Sequence, residues 1–146
     1  MAQSKKPRKK YNAQKITNYC RFNAQDVALL MREPLIALQA IKDGHITGFE
    51  GQAYIQMQAM IMHASKVAQY RGMEFDCQPA IKTINKIEHG MKVSDIDIQR
   101  LEACALDCRR VFLHSTLAHN EQAEVDLRIY IESHGGRYVG WGVGKS

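Results

Sequence analysis

The chain has 146 residues, 45% of them hydrophobic and 24% charged, which is enough apolar material for one core and too little length for two. No apolar run approaches the roughly 20 residues that span a bilayer, and no apolar stretch follows the charged start in the manner of a secretory signal. The net charge of +5 is unevenly placed: residues 1–22 carry seven basic side chains and no acid, while the other 124 carry 13 basic and 15 acidic ones.

Residues 1–22 therefore read as a flexible basic arm, and 23–146 as a single helical domain. The run KKPRKKYNAQK is polar, interrupted by Pro7, and has no apolar face to bury. Lysine and arginine neutralise phosphates and release counterions without a fixed fold. Lys5, Lys6, Arg8, Lys9, Lys10, Lys15 and Arg21 are accordingly the candidate nucleic-acid contacts, with the Tyr11 ring available to stack on bases. The plain alternative is an arm that only keeps the protein in solution.

From Asn23 the pattern is helical. Asn23 and Asp26 have the spacing of a cap, and Val27, Leu30, Leu35, Leu38 and Ile41 follow at intervals of three to five. Pro34 either kinks this helix or opens a new one, and Gly44 ends it. Thr47 and Glu50 fit a capping box for the next helix, whose stripe runs Ala53, Met57, Met60, Ala64, Val67 to a stop at Gly72. Ile55 and Met62 fall off that stripe, so this helix is apolar on more than one side and is either central in the bundle, the expected place, or an interface. Pro79 is placed to start a third helix with the stripe Ile81, Ile84, Ile87 and a stop at Gly90. Ser94 and Asp97 form a second capping box, and Ile98, Leu101, Ala105, Cys108, Phe112 and Ser115 make the seam of a fourth helix. Ser115-Thr116 can cap a further short one.

The spacing Leu38-x-x-Ile41-x-x-Gly44 returns as Ile84-x-x-Ile87-x-x-Gly90, and a Thr or Ser box follows each time. This weak duplication predicts two αα-hairpins packed on one another in an antiparallel, mainly α bundle, since one hairpin cannot cover its own apolar face. The C-terminus has two readings. Val125, Leu127, Ile129 and Ile131 alternate, and with a turn at Gly135-Gly136 and a return through Tyr138–Val143 they make a small β-hairpin. Alternatively Leu117, Ala123, Leu127, Tyr130 and Ile131 line a helix that Gly135 caps.

The chemistry-bearing residues are weighed against that frame. The ending GWGVGKS is not a P-loop, because Val139 stands where the motif requires glycine. Cys104 and Cys108 lie one helical turn apart with Cys108 on the apolar seam, which suits small core-filling thiols better than a metal site. Cys20, Cys77, Cys104 and Cys108 form no CxxC pair and are expected as reduced thiols in a cytosol. None of the six histidines forms HExxH; His45 and His89, beside helix-ending glycines, are expected to cap terminal carbonyls. Arg137, Tyr138, Trp141 and Lys145, in a glycine-rich setting, are candidates for a secondary nucleic-acid contact. No catalytic residue, metal or cofactor is implied.

The opening KKPRKKY, the glycine-and-threonine junction Lys42-Asp-Gly-His-Ile-Thr47 and the stretch LEACALD leading to Ser115-Thr116 resemble small uncharacterised helical proteins of bacteriophages and bacterial mobile elements. The resemblance implies an all-α fold in a bacterial cytoplasm and supplies no catalytic residues. The expectation is a non-enzymatic protein that associates with DNA or RNA through its arm while the bundle mediates self-association or docks a protein. The alternative is a protein-binding module, such as a phage-encoded inhibitor of a host nucleic-acid enzyme or defence system.

Overall fold

A computed structural model describes residues 22–44 and 53–135. They form five helices: α1 (Ala24–Lys42), α2 (Ala53–Arg71), α3 (Gln78–Glu88), α4 (Asp95–Leu113) and α5 (Leu117–Ser133). The protein is mainly α, a helical bundle with no strand among the described residues.

Local chemistry sets the helix starts. Asn23 accepts a hydrogen bond from the Asp26 amide at 2.8 Å, and the Asp26 carboxylate accepts one from the Asn23 amide at 3.1 Å. Ser94 and Asp97 repeat this box on α4, at 3.2 and 3.0 Å. Each box satisfies two of the amides that a helix start leaves without partners. The helix ends are equally local. At α2 the Met73 amide reaches back to the Ala68 carbonyl at 2.9 Å, and at α3 the Met91 amide reaches the Lys86 carbonyl at 2.8 Å. Both are Schellman closures around a glycine, Gly72 and Gly90. The Thr47–Glu50 box and His45 lie outside the described residues.

The two matching Leu/Ile-to-glycine units do end alike, with Gly44 at φ +82° and Gly90 at φ +70°. Their hairpins pack as expected: α1 lies on α2, α3 lies on α4, and α4 is held against both α1 and α2. Phe22 at the start of α1 donates to the Ser115 carbonyl just beyond α4, while Lys42 at its end pairs with Glu102 within α4. Those two links make α1 and α4 antiparallel. Helix α2 touches all four of the others, so the helix predicted to be central is central. Its Met57, Met60, Ile61, Ala64 and Val67 are fully buried.

Three expectations are corrected. Leu35 is exposed, and Met31 and Pro34 take its place in the core. Helix α1 continues through Pro34, so the buried positions 27, 30, 31, 34, 38 and 41 keep one face, from which Leu35 is turned away. The C-terminal β-hairpin is not formed, because residues 125–131, its first strand, belong to α5. Alternation there reflects one helical face and its exposed flank: Ala123 and Leu127 are buried on α2, and Val125 and Ile129 are exposed. The helix is also long, 17 residues, where a short one was expected. Residues 138–143 lie outside the described part.

Candidate functional site

The predicted contact residues Lys5, Lys6, Arg8, Lys9, Lys10, Tyr11, Lys15 and Arg21, and the secondary set Arg137, Tyr138, Trp141 and Lys145, all lie outside the described residues. What the structure defines is the body to which they are attached. That body carries eleven basic and fourteen acidic side chains, so all of the net positive charge lies in the segments outside it.

Several of the body's cations are already engaged. Lys42 pairs with Glu102 at 2.9 Å, Lys86 with Asp97 at 2.9 Å, Arg100 with Asp97 at 3.7 Å and Arg110 with Asp107 at 2.7 Å. Asp97 is the buried member of these pairs. The Ser94 amide and the Lys86 ammonium hold its carboxyl at about 2, below the usual 3.8. Arg110 also donates to the Glu74 carbonyl at 2.7 Å, which ties the linker between α2 and α3 to α4. These charges fix the joints between helices.

A surface groove of about 500 Å³ runs between the start of α3 and the outer face of α4. Its walls include Arg100, Arg110, Asp76 and Asp107 around Cys104 and Leu106. Both arginines have acidic partners on α4, so the groove shows mixed and internally paired charge. Cys104 and Cys108 are buried, as core-filling thiols should be. Contact with Cys104, together with burial, pushes the Cys108 thiol well above its ordinary range. Burial first, then the neighbouring Cys104, raises Cys77 as well. Among the described residues no group of three or more His, Cys, Asp or Glu is placed to hold a metal ion.

The described histidines serve different ends. His89, His114 and His134 each end a helix, and each Nδ1–H donates to the carbonyl four residues back, at 2.8, 2.9 and 2.7 Å. The capping role expected for His89 therefore recurs at three helix ends. His63 is different, since it is fully buried in α2 against the ring of Phe112. Its Nε2 lies 2.9 Å from Asn120 Oδ1. The Asn120 amide nitrogen donates to Ser115 Oγ and to the Thr116 carbonyl, both at 2.8 Å. A carbonyl only accepts, so the orientation of Asn120 is fixed, its oxygen faces His63, and His63 must carry its proton on Nε2. Ser115 in turn donates to the Phe112 carbonyl at 2.6 Å. Burial lowers the His63 pKa from 6.5 to about 4, with the Asn120 bond acting the other way, so the ring is neutral at pH 7.

This buried network joins α2 to the corner between α4 and α5, and Phe22 is hydrogen-bonded to that same corner at 3.2 Å. A second link lies nearby: Tyr70 donates to the Asp126 carboxylate, and its ring stacks on His119 with centroids 6.4 Å apart. Sequence reasoning passed over His63 and Asn120. The signal for His63 was available, because it stands on the buried face between Met60 and Val67, where only a partnered polar group belongs.

Comparison with protein-family models, with curated proteins and with solved structures finds no match to this chain.

Proposed function

We propose that this is a non-enzymatic nucleic-acid-associated protein of the cytoplasm in which Lys5, Lys6, Arg8, Lys9, Lys10, Lys15 and Arg21 contact phosphates and the helical body supplies shape and a docking surface. The observation that carries the reading is the segregation of charge. The described helices have an acid excess with many cations in ion pairs, while the first 21 residues hold seven basic groups and no acid. Such a distribution attracts a polyanion to one segment and leaves the body neutral enough to avoid wrapping it. No helix among the described residues is long and apolar enough to cross a membrane.

The test is a salt-titrated anisotropy measurement on duplex DNA, single-stranded DNA and RNA. Replacing Lys5, Lys6, Arg8, Lys9 and Lys10 together by alanine should abolish tight binding. The slope of log affinity against log salt should flatten by up to about 4 if those five side chains each neutralise a phosphate. Affinity unchanged in that variant removes the proposal.

A second reading is favoured by the outer side of α1, where Leu29 and Ile36, seven residues apart on one face, are 65% and 56% exposed. On this reading the body is a protein-binding module and the arm only steers association. Partner capture that survives deletion of residues 1–22, with no nucleic-acid binding by the full chain, decides for it.

A further inference from the structure

The groove between α3 and α4 carries a thiol in its wall. Cys104 lines it with Arg100, Arg110, Asp76, Asp107 and Leu106. We propose that Cys104 is a modification site, which takes the disulfide of a short zwitterionic peptide thiol into this groove and keeps one half of it as a mixed disulfide.

Three observations support that ligand. The volume, about 500 Å³, falls within the roughly 300–1,000 Å³ of sites that enclose a small molecule. The charges are of both signs, so a polyanion is a poor match for walls with two carboxylates, whereas a peptide thiol with carboxylate and ammonium groups meets an opposite charge for each. Arg100 and Arg110 are 51% and 44% exposed, and each pairs with a carboxylate of α4. A guanidinium has five donors, so each fork can hold a second carboxylate beside the first. Spacing is the third observation. The two arginines lie about 15 Å apart along the axis of α4, with Cys104 between them in the chain, which is the length of a short peptide and not of one amino acid.

The neighbouring thiols suit the chemistry. Cys108, one turn on, has no exposure, while Cys104 keeps 6%. The Cys108 thiol retains its proton and donates it to Cys104, which holds the Cys104 thiol below its ordinary range against burial and the Asp107 and Asp76 carboxylates. The thiolate is the attacking form. Cys77 lines a second groove, of about 270 Å³ among α2, α3 and α5, and burial raises its thiol. In the exchange, the Cys104 thiolate attacks one sulfur of the peptide disulfide and forms a new S–S bond as the old one breaks. The Cys104 sulfur is oxidised, the leaving sulfur is reduced, and the leaving thiolate takes a proton from water. Cys108 does not displace the adduct, because side chains four apart on a helix hold their Cβ atoms about 5–6 Å apart, beyond the roughly 3.5–4.5 Å of a disulfide.

Oxidised glutathione is the probe. The full-length protein, first reduced and then exposed to it at pH 7, should gain one glutathionyl group by intact mass, mapped to Cys104. Cys104→Ser should lose the adduct and Cys77→Ser should keep it. Arg100→Ala and Arg110→Ala, combined, should slow the reaction severalfold with oxidised glutathione and leave that with the uncharged 2-hydroxyethyl disulfide unchanged, at constant helical circular dichroism. S-methylglutathione, which cannot exchange, should compete in the unaltered chain, a readout that needs no variant. Absence of an adduct, an adduct on another cysteine in place of Cys104, or an internal Cys104–Cys108 disulfide overturns the proposal. So does a rate that ignores S-methylglutathione, or an arginine variant that treats both reagents alike, since Cys104 would then react as a thiol without a site.

Discussion

Replacement of Asn120 by alanine tests the buried network most sharply. The side chain makes three hydrogen bonds, to His63, Ser115 and the Thr116 carbonyl, at 2.8 to 2.9 Å. Their loss is not equally costly. The Thr116 carbonyl keeps the Asn120 backbone amide at 3.1 Å, and Ser115 keeps its donation to Phe112 at 2.6 Å. The His63 Nε2–H, in a ring with no solvent exposure, loses its acceptor outright. A buried polar group stripped of its partner costs about 1–3 kcal/mol, and the small void left by the amide adds to it. The expected loss is about 2–4 kcal/mol, a large share of the 5–15 kcal/mol typical of a domain. Urea unfolding at pH 7, followed by helical circular dichroism, reads this as a lower midpoint at unchanged slope. A loss under about 1 kcal/mol would refute the reasoning, because the amide would then not be the acceptor that satisfies the buried His63 Nε2–H.

Two further outcomes follow from the same structure. The unfolded His63 imidazole takes up a proton near 6.5 and the folded one only near 4, so the unfolded state binds more protons between those values. Stability should therefore fall as pH drops through that window, by about 1.4 kcal/mol per unit and about 3 kcal/mol in all, and His63→Gln should lose that component. Parallel denaturation curves from pH 7 to 4 check it, and equal pH slopes for the two proteins would sink it. Gly90 holds φ +70° with nothing within 4 Å of where a Cβ would sit, so Gly90→Ala should cost about 1–2 kcal/mol from backbone conformation alone. Gly90→Asn should recover part of that in the same assay, since asparagine tolerates the left-handed region.

Much of the fold was legible because its punctuation is local. A capping box needs two side chains three residues apart, and Asn23/Asp26 and Ser94/Asp97 show it directly. The seam of α4 was readable for the same reason, since Leu101, Ala105, Cys108 and Phe112 keep one helical face. Legibility stopped where a local pattern had two solutions. The 125–131 stretch satisfies both a strand and a helix, and burial of Ala123 and Leu127 on α2 chose the helix. Leu35 and Pro34 exchanged roles because an uninterrupted helix carries its buried face through position 34.

The sequence by itself determined the capping boxes, the central position of α2 and the concentration of positive charge in one terminal segment, all of which depend on residues within a turn or two of each other or on composition. Only the tertiary structure decided that His63 and Asn120, 57 residues apart, complete one another, that three histidines turn back onto helix carbonyls, and that one groove opens between α3 and α4 and another among α2, α3 and α5. The division has one cause. A hydrogen bond within a helix end is set by chain geometry, whereas a bond or groove between helices depends on how several apolar faces are shared out when they pack, and that choice is made by the whole core at once.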